Sequence, residues 1–285
     1  MSLASAIYRE LVYGGHLLAL GTSSMAATAA LLLGQTPTWD LLLMAYLFSL
    51  GAYTLNRISD FRADEVSHPE RSAYLRGRLR ALKGGSAACF AVGYVLAFFR
   101  NLVFFAGLLV PLGLAVAYSL SSERMKGALG ASRLKDVILV KNVTISFGWS
   151  LVPVLVGLYF LQLPLALLAL SPFIFLRLMA NTIFFDQRDM EADAAFGVRT
   201  LPLKMGVAGS SRVMDALDLG SGVYLAGAVA LGVVPLFAGV LLVFVPYSIA
   251  CRIYARTGKH RDSIRDFAAD GEYVLWGVVT AIGHL

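Results

Sequence analysis

Runs of about 18 to 22 predominantly apolar residues alternate along this chain with polar connections, and each run is long enough to cross roughly 30 Å of hydrocarbon as a helix. The pattern predicts nine spans, at about 11–33, 39–57, 85–99, 102–120, 141–160, 163–185, 212–231, 234–254 and 267–283. The third run is short, and Asp215 and Asp218 blur the start of the seventh, so eight or ten spans also fit. The expected fold is an all-α polytopic membrane bundle, one domain over residues 1–285, with no soluble domain, low-complexity tract or linker.

Two of these runs end in a distinctive way. The run over 46–64 closes on Asn56, Asp60 and Asp64, four residues apart, and the run over 165–185 is followed by Asp186, Asp189 and Asp193. Residues four apart share one helix face, so each cluster presents oxygen ligands in a column at a membrane-helix tip.

Composition agrees with a membrane chain. Of 285 residues, 58% are hydrophobic and 15% charged, and the mean hydropathy is +0.72. Under the nine-span reading, every Lys and Arg except Arg100 falls on one side of the membrane, and Lys/Arg placement marks that side as cytoplasmic. Both acidic clusters lie there, so the active cavity is expected to face the cytoplasm. The net charge of +6 therefore reflects topology and some attraction for anionic headgroups, rather than nucleic-acid binding. Outer connections are minimal, as at 34–38, whereas the cytoplasmic ones are long and polar.

Several features yield little chemistry. Cys89 and Cys251 lie in predicted spans with no CxxC pairing, His16, His68, His260 and His284 lack zinc spacing, and no nucleotide loop or nucleophile elbow is present. His16, inside the first span, is expected to be a hydrogen-bonded structural residue or an acceptor contact. The segment 69–83 alternates Arg76, Arg78, Arg80 and Lys83 with Tyr74, Leu75, Leu79 and Leu82, which suits either a headgroup-level amphipathic helix or a basic loop. Gly84 and Gly85 are expected to break the chain before the third span.

A carboxylate at mid-membrane costs about 2.5–3.5 kcal/mol on insertion scales, so paired acidic tips call for compensating cations. Mg²⁺ keeps few protein ligands and completes its shell with water and substrate phosphate. Asn56, Asp60 and Asp64 opposite Asp186, Asp189 and Asp193 suit two or three such ions bridging a diphosphate, with Arg71, Lys126, Arg188 and Arg199 on its remaining oxygens. An internal echo links the halves, because Arg71 follows the first column as Arg199 follows the second.

These residues resemble the UbiA-type intramembrane prenyltransferases, which pair an NxxxDxxxD motif with a DxxxD motif in a nine-helix bundle. The matches are Asn56, Asp60 and Asp64, then Asp189 and Asp193. Further matches are Pro69, Glu70 and Arg71, Tyr118 and Ser119 followed by Lys126, and Gly197, Arg199, Thr200, Leu201 and Pro202. Departures are Arg57 where many members carry Asp, and Ser72 with 75–77 in place of a Pro-rich turn. The resemblance implies transfer of an isoprenyl group from a prenyl diphosphate to a lipophilic acceptor, either a quinone-precursor aromatic or a lipid, using Mg²⁺. It implies that Asp60, Asp64, Asp189 and Asp193 are catalytic as metal carriers with Asn56, and that Arg71, Tyr118, Lys126, Arg188 and Arg199 bind substrate. It also keeps Asp186 among the metal ligands. Tyr46, Tyr53, Phe147, Trp149, Phe184 and Phe185 are candidates for stabilising an allylic cation, beside the alternative that they pack the core. Rival readings are a membrane terpene cyclase of the same family and a divalent-cation transporter. The combined motif of a CDP-alcohol phosphatidyltransferase is missing.

Overall fold

The computed structural model describes residues 3–119, 137–257 and 264–285, and it is helical almost throughout. We number the helices in chain order: α1 (Leu3–Tyr8), α2 (His16–Leu32), α3 (Trp39–Ser67), α4 (Pro69–Arg76), α5 (Leu79–Arg100), α6 (Leu102–Gly107), α7 (Leu109–Ser119), α8 (Val140–Ser150), α9 (Val152–Phe160), α10 (Leu165–Arg188), α11 (Met190–Ala195), α12 (Leu201–Ala230), α13 (Phe244–Thr257) and α14 (Asp270–His284). Among the described residues, six helices are long and apolar enough to cross a membrane, or seven if α1 with its π-helical extension is joined to α2 across a 63° bend. This is a polytopic membrane bundle, and among the described residues six or seven of the nine expected spans meet the length and hydropathy of a crossing helix.

The bend lies at Gly14 and Gly15. Gly15 has φ +84°, and a Cβ there would sit 2.3 Å from the Tyr53 ring, so both conformation and space demand glycine. Helix α10 is the central strut: 67% of its spanning window is buried inside the protein, against 17–39% for the other five spans. It packs on α8 and α12, while α14 packs on α2 and α2 on α3. Leu167, Leu170, Phe173 and Ile174 of α10 meet Met25, Tyr273 and Trp276 in the core.

Several predicted limits move. Helix α3 runs on to Ser67, so Asn56, Asp60 and Asp64 occupy successive turns of one continuous helix rather than its frayed end. Gly84 and Gly85 do not break the chain, because α5 starts at Leu79 and passes through them. Basic segment 69–83 is helical, as α4 and the first turn of α5. The seventh predicted span begins earlier than expected, in α12, which starts at Leu201 and kinks at Gly206 (φ +71°), since Asp218 is an interior residue and no boundary. Arg177 donates to Asp218, to Ser248 (3.1 Å), to the Phe244 carbonyl (2.8 Å) and to Glu272, while Arg252 donates to Asp218 and to Asp215 (2.7 Å). Arg177 and Arg252 are therefore interior ion pairs that say nothing about membrane orientation, contrary to their use in the charge count.

Candidate active site

Helix α3 carries the first acidic column, while Asp186 on α10, Asp189 at the break after it and Asp193 on α11 form the second, and all of them line one cavity of about 930 Å³. Asn56, Asp60, Asp64, Arg71, Tyr118, Asp186, Arg188, Asp189 and Asp193 all line it. From them the cavity extends along apolar walls that include Leu41, Phe48, Phe104, Leu108 and Val156. Asn56 and Asp64 are eight residues apart on α3, so the first column is about 12 Å long.

Asp64 accepts from Arg71 (2.9 Å) and Arg57 (3.3 Å). Burial pushes the Asp64 carboxyl up, but Arg57 and Arg71 outweigh it and hold the group below the ordinary carboxylate range. Asp189 is bonded through Oδ1 to His68 Nε2 (3.0 Å) and to Arg188 Nε (2.8 Å), and Arg188 also pairs with Asp266. Burial raises Asp189 and the Arg188 charge lowers it further, so it stays ionised well below its usual value. Burial lowers His68, and Arg188 and Arg71 add to that against the pull of Asp189. A neutral His68 thus donates its Nε2 proton to Asp189 and bridges the segment after the first column to the second.

Two oxygens stand out. Asn56 Oδ1 and Asp193 Oδ2 are buried with no hydrogen-bond partner. Burial pushes Asp193 up to about 7, despite the Lys141 charge. Orphaned hard oxygens facing a cavity are what a divalent cation would satisfy, and carboxylate, amide and water oxygens are the Mg²⁺ donor set. Among the described residues, no three His, Cys, Asp or Glu side chains form a ready-made metal cage.

Asp186 differs from the other acids. It is fully buried, and its two oxygens accept from Lys141 Nζ (2.7 Å) and Asn142 Nδ2 (2.8 Å) of α8. Arg199 departs from expectation: it is exposed and does not line the cavity, so the echo with buried Arg71 is not kept in space. Lys126 lies outside the described residues. The site holds residues not anticipated from sequence: Lys141 and Arg57 line the cavity and His68 bonds its wall, with only their nearness to predicted tips as a signal. Of the six aromatic candidates, Tyr53, Trp149 and Phe185 line the cavity. Phe184 is core, Phe147 is exposed, and Tyr46 is bonded to His16.

The UbiA prenyltransferase family matches residues 17–276. A digeranylgeranylglyceryl phosphate synthase from Thermococcus kodakarensis is 31% identical over 170 residues, which cover 58% of this chain and 55% of that protein. The chain thus spans about half the length of the curated relatives it matches. The apo structure of a UbiA homologue from Aeropyrum pernix superposes with a TM-score of 0.68 at 16% identity, covering 94% of this chain and 96% of that one. A UbiA homologue from Archaeoglobus fulgidus bound to GPP and Mg²⁺ gives 0.62 at 14% identity, covering 96% and 97%. These likenesses carry the fold. With the family match over nearly the whole chain, both motifs on one cavity and the shared helical architecture, the chain belongs to the UbiA prenyltransferase family.

Proposed function

We propose that this protein is a Mg²⁺-dependent intramembrane prenyltransferase, a single UbiA-type domain over residues 1–285 whose cavity opens to the cytoplasm. It moves an isoprenyl group from a prenyl diphosphate to a lipophilic acceptor. The observation that carries this reading is charge placed against shape. One cavity is lined by Asp60, Asp64, Asp186, Asp189, Asp193, Asp266 and Asp270 against Arg57, Arg71, Lys83, Lys141 and Arg188, and by apolar side chains that form the rest of its wall. The acids outnumber the bases, so an anionic diphosphate is admitted only together with divalent cations. The apolar wall suits the isoprenyl tail and the charged groups its head.

Asn56, Asp60, Asp64, Asp189 and Asp193 would hold the ions, and Mg²⁺ there would neutralise charge building on the departing diphosphate. Arg71, Arg188 and Lys141, which line the cavity, would bind its outer oxygens, with Lys141 taking the role the sequence suggested for Arg199. Asp186 positions Lys141 through its 2.7 Å bond. Trp149 would offer its ring to an allylic cation, whereas the Tyr53 and Phe185 rings each carry a guanidinium, Arg57 at 4.6 Å and Arg188 at 4.9 Å, and so help to set the charged groups in place. Tyr118, buried in the wall, borders the diphosphate end. The relatives' name favours a lipid-type, glycerol-phosphate acceptor over an aromatic one.

The test is purified protein in liposomes with Mg²⁺, prenyl diphosphates of increasing length, and phenolic, naphthoate and glycerol-phosphate acceptors, with diphosphate release and product mass read together. Acceptor-dependent diphosphate release with a prenylated product is expected. A cyclic hydrocarbon or alcohol formed without acceptor would identify a cyclase instead, and metal flux without diphosphate release a transporter.

A further inference from the structure

Asp262, Asp266 and Asp270 repeat the four-residue spacing in the sequence, and the last two lie where a π-helical turn (Ile264–Ala269) runs into α14. Both residues line the cavity. Asp266 pairs with Arg188, which in turn holds Asp189 at 2.8 Å, so the pair is tied to the second motif by one guanidinium. Asp270 is different. It is nine-tenths buried, and among the described residues it has no cationic partner. Its one bond is a long one, from Asn181 Nδ2 to Oδ1 at 3.3 Å, which leaves Oδ2 without a partner. A buried carboxylate without a cation is costly in a membrane bundle and marks a functional position.

Its depth is informative. Asn181 also lines the cavity and lies on α10 eight residues before Asp189, the residue that caps this helix, about 12 Å away along the axis. The Asn181–Asp270 pair therefore lies deeper along α10 than Asp189, by the same eight-residue step that separates Asn56 from Asp64 on α3.

We propose that Asp270 is the proton acceptor for the nucleophile, with Asn181 as its positioning partner, and that the acceptor substrate presents a hydroxyl group at this depth. The inference rests on the prenyl-transfer reading and adds to it the group that removes the acceptor's proton. In the step, the bond between the isoprenyl C1 and the diphosphate oxygen breaks, and its electron pair leaves with the diphosphate. The acceptor oxygen forms the new bond to C1, giving an ether, and its proton passes to Asp270 Oδ2. The charged groups around the carboxylate are Asp266 on its own segment, Arg188 on α10 and Arg57 on α3. Two carboxylates side by side repel an anionic headgroup, which turns the neutral hydroxyl end of an acceptor inward.

The experiment compares wild type with Asp270→Asn and Asn181→Ala in liposomes. It uses the hydroxyl acceptor that gives product with wild type and its thiol analogue, which ionises near pH 8.5 without help. Donor affinity and melting temperature establish that each variant is folded. Asp270→Asn should keep donor affinity, lose about 10²–10⁴-fold in transfer to the hydroxyl and stay within about 3-fold of wild type toward the thiol. Asn181→Ala should lose less and mainly raise the acceptor KM. If Asp270→Asn does not fold, Asp270→Ser carries the same comparison. Equal losses toward both acceptors, no loss toward the hydroxyl, or a wild-type product joined through carbon would overturn the assignment. A wild type that releases no diphosphate with any donor would instead overturn the prenyl-transfer reading beneath it.

Discussion

Replacing Asp218 by Asn tests whether the charged residues inside the helical bundle act as one neutral unit. Arg177, Arg252, Asp218 and Glu272 are all nearly inaccessible, at 0 to 4% exposure, and form two cations against two anions. Asp218 stands between both guanidiniums, accepting from Arg177 through Oδ1 and from Arg252 and Ser248 through Oδ2. The amide keeps the shape and removes the charge, leaving two guanidiniums facing one buried carboxylate. Stranding a buried charge in this way costs about 3–5 kcal/mol. For a protein of this size, about 2–4 °C of melting temperature goes with each kcal/mol, so the midpoint should fall by roughly 6–20 °C. Intrinsic tryptophan fluorescence during a thermal ramp of detergent-solubilised protein provides the readout, since Trp276 lies in the same core. Asp215→Asn is the control: its side chain is 49% exposed, and its pair with Arg252 should be worth less than about 1 kcal/mol. An Asp218→Asn midpoint within 2 °C of wild type would refute the reasoning, as would an equal fall in the control.

The remaining predictions concern the cavity. Asp60→Ala and Asp189→Ala should each abolish turnover while leaving folded, membrane-inserted protein; retained turnover in both, read as diphosphate release, removes the metal assignment. Arg71→Ala should cut turnover by about two orders of magnitude or more, because its buried side chain holds Asp64 at 2.9 Å, whereas exposed Arg199→Ala should stay within about 3-fold. The reverse ranking would restore the sequence-based role of Arg199. With Asp193 raised by burial to about 7, the folded protein holds a proton there that the unfolded chain has released above its ordinary value near 3.8. Asp193 therefore adds stability to the metal-free protein as pH falls from 7 toward 4, against the opposing contribution of His68, whose lowered value costs stability below about 6.5, and Mg²⁺ must displace the Asp193 proton. The Mg²⁺ concentration giving half-maximal thermal stabilisation in the presence of diphosphate should rise about tenfold from pH 8 to pH 6. A value independent of pH over that range would contradict the placement of Asp193.

Much of the site was legible because its signal is local. Four-residue spacing places Asn56, Asp60 and Asp64 on one helix face whatever the helix packs against, and a column of acids closing an apolar run needs a reason in any membrane fold. Hydropathy likewise identified a polytopic bundle, since length and apolarity are properties of each segment alone.

Partnership between segments is not encoded that way. Asp218 looked like a boundary charge and Arg177 like an interface cation; only the packing of α10 against α12, α13 and α14 makes them mutual partners, and so lets both be buried. Lys141, and not Arg199, lines the cavity for the same reason. Arg199 is near the second motif in sequence but faces outward, while Lys141 is 45 residues from Asp186 and bonded to it. Asp266 and Asp270 repeat the four-residue spacing as plainly as the two motifs, yet they precede the last apolar run instead of closing one. Chain order could not reveal that they line the cavity of α3 and α10. Periodicity decides which face of a helix a residue occupies, but what that face meets is decided by the competition among all helices for burial, and that competition is settled only in three dimensions.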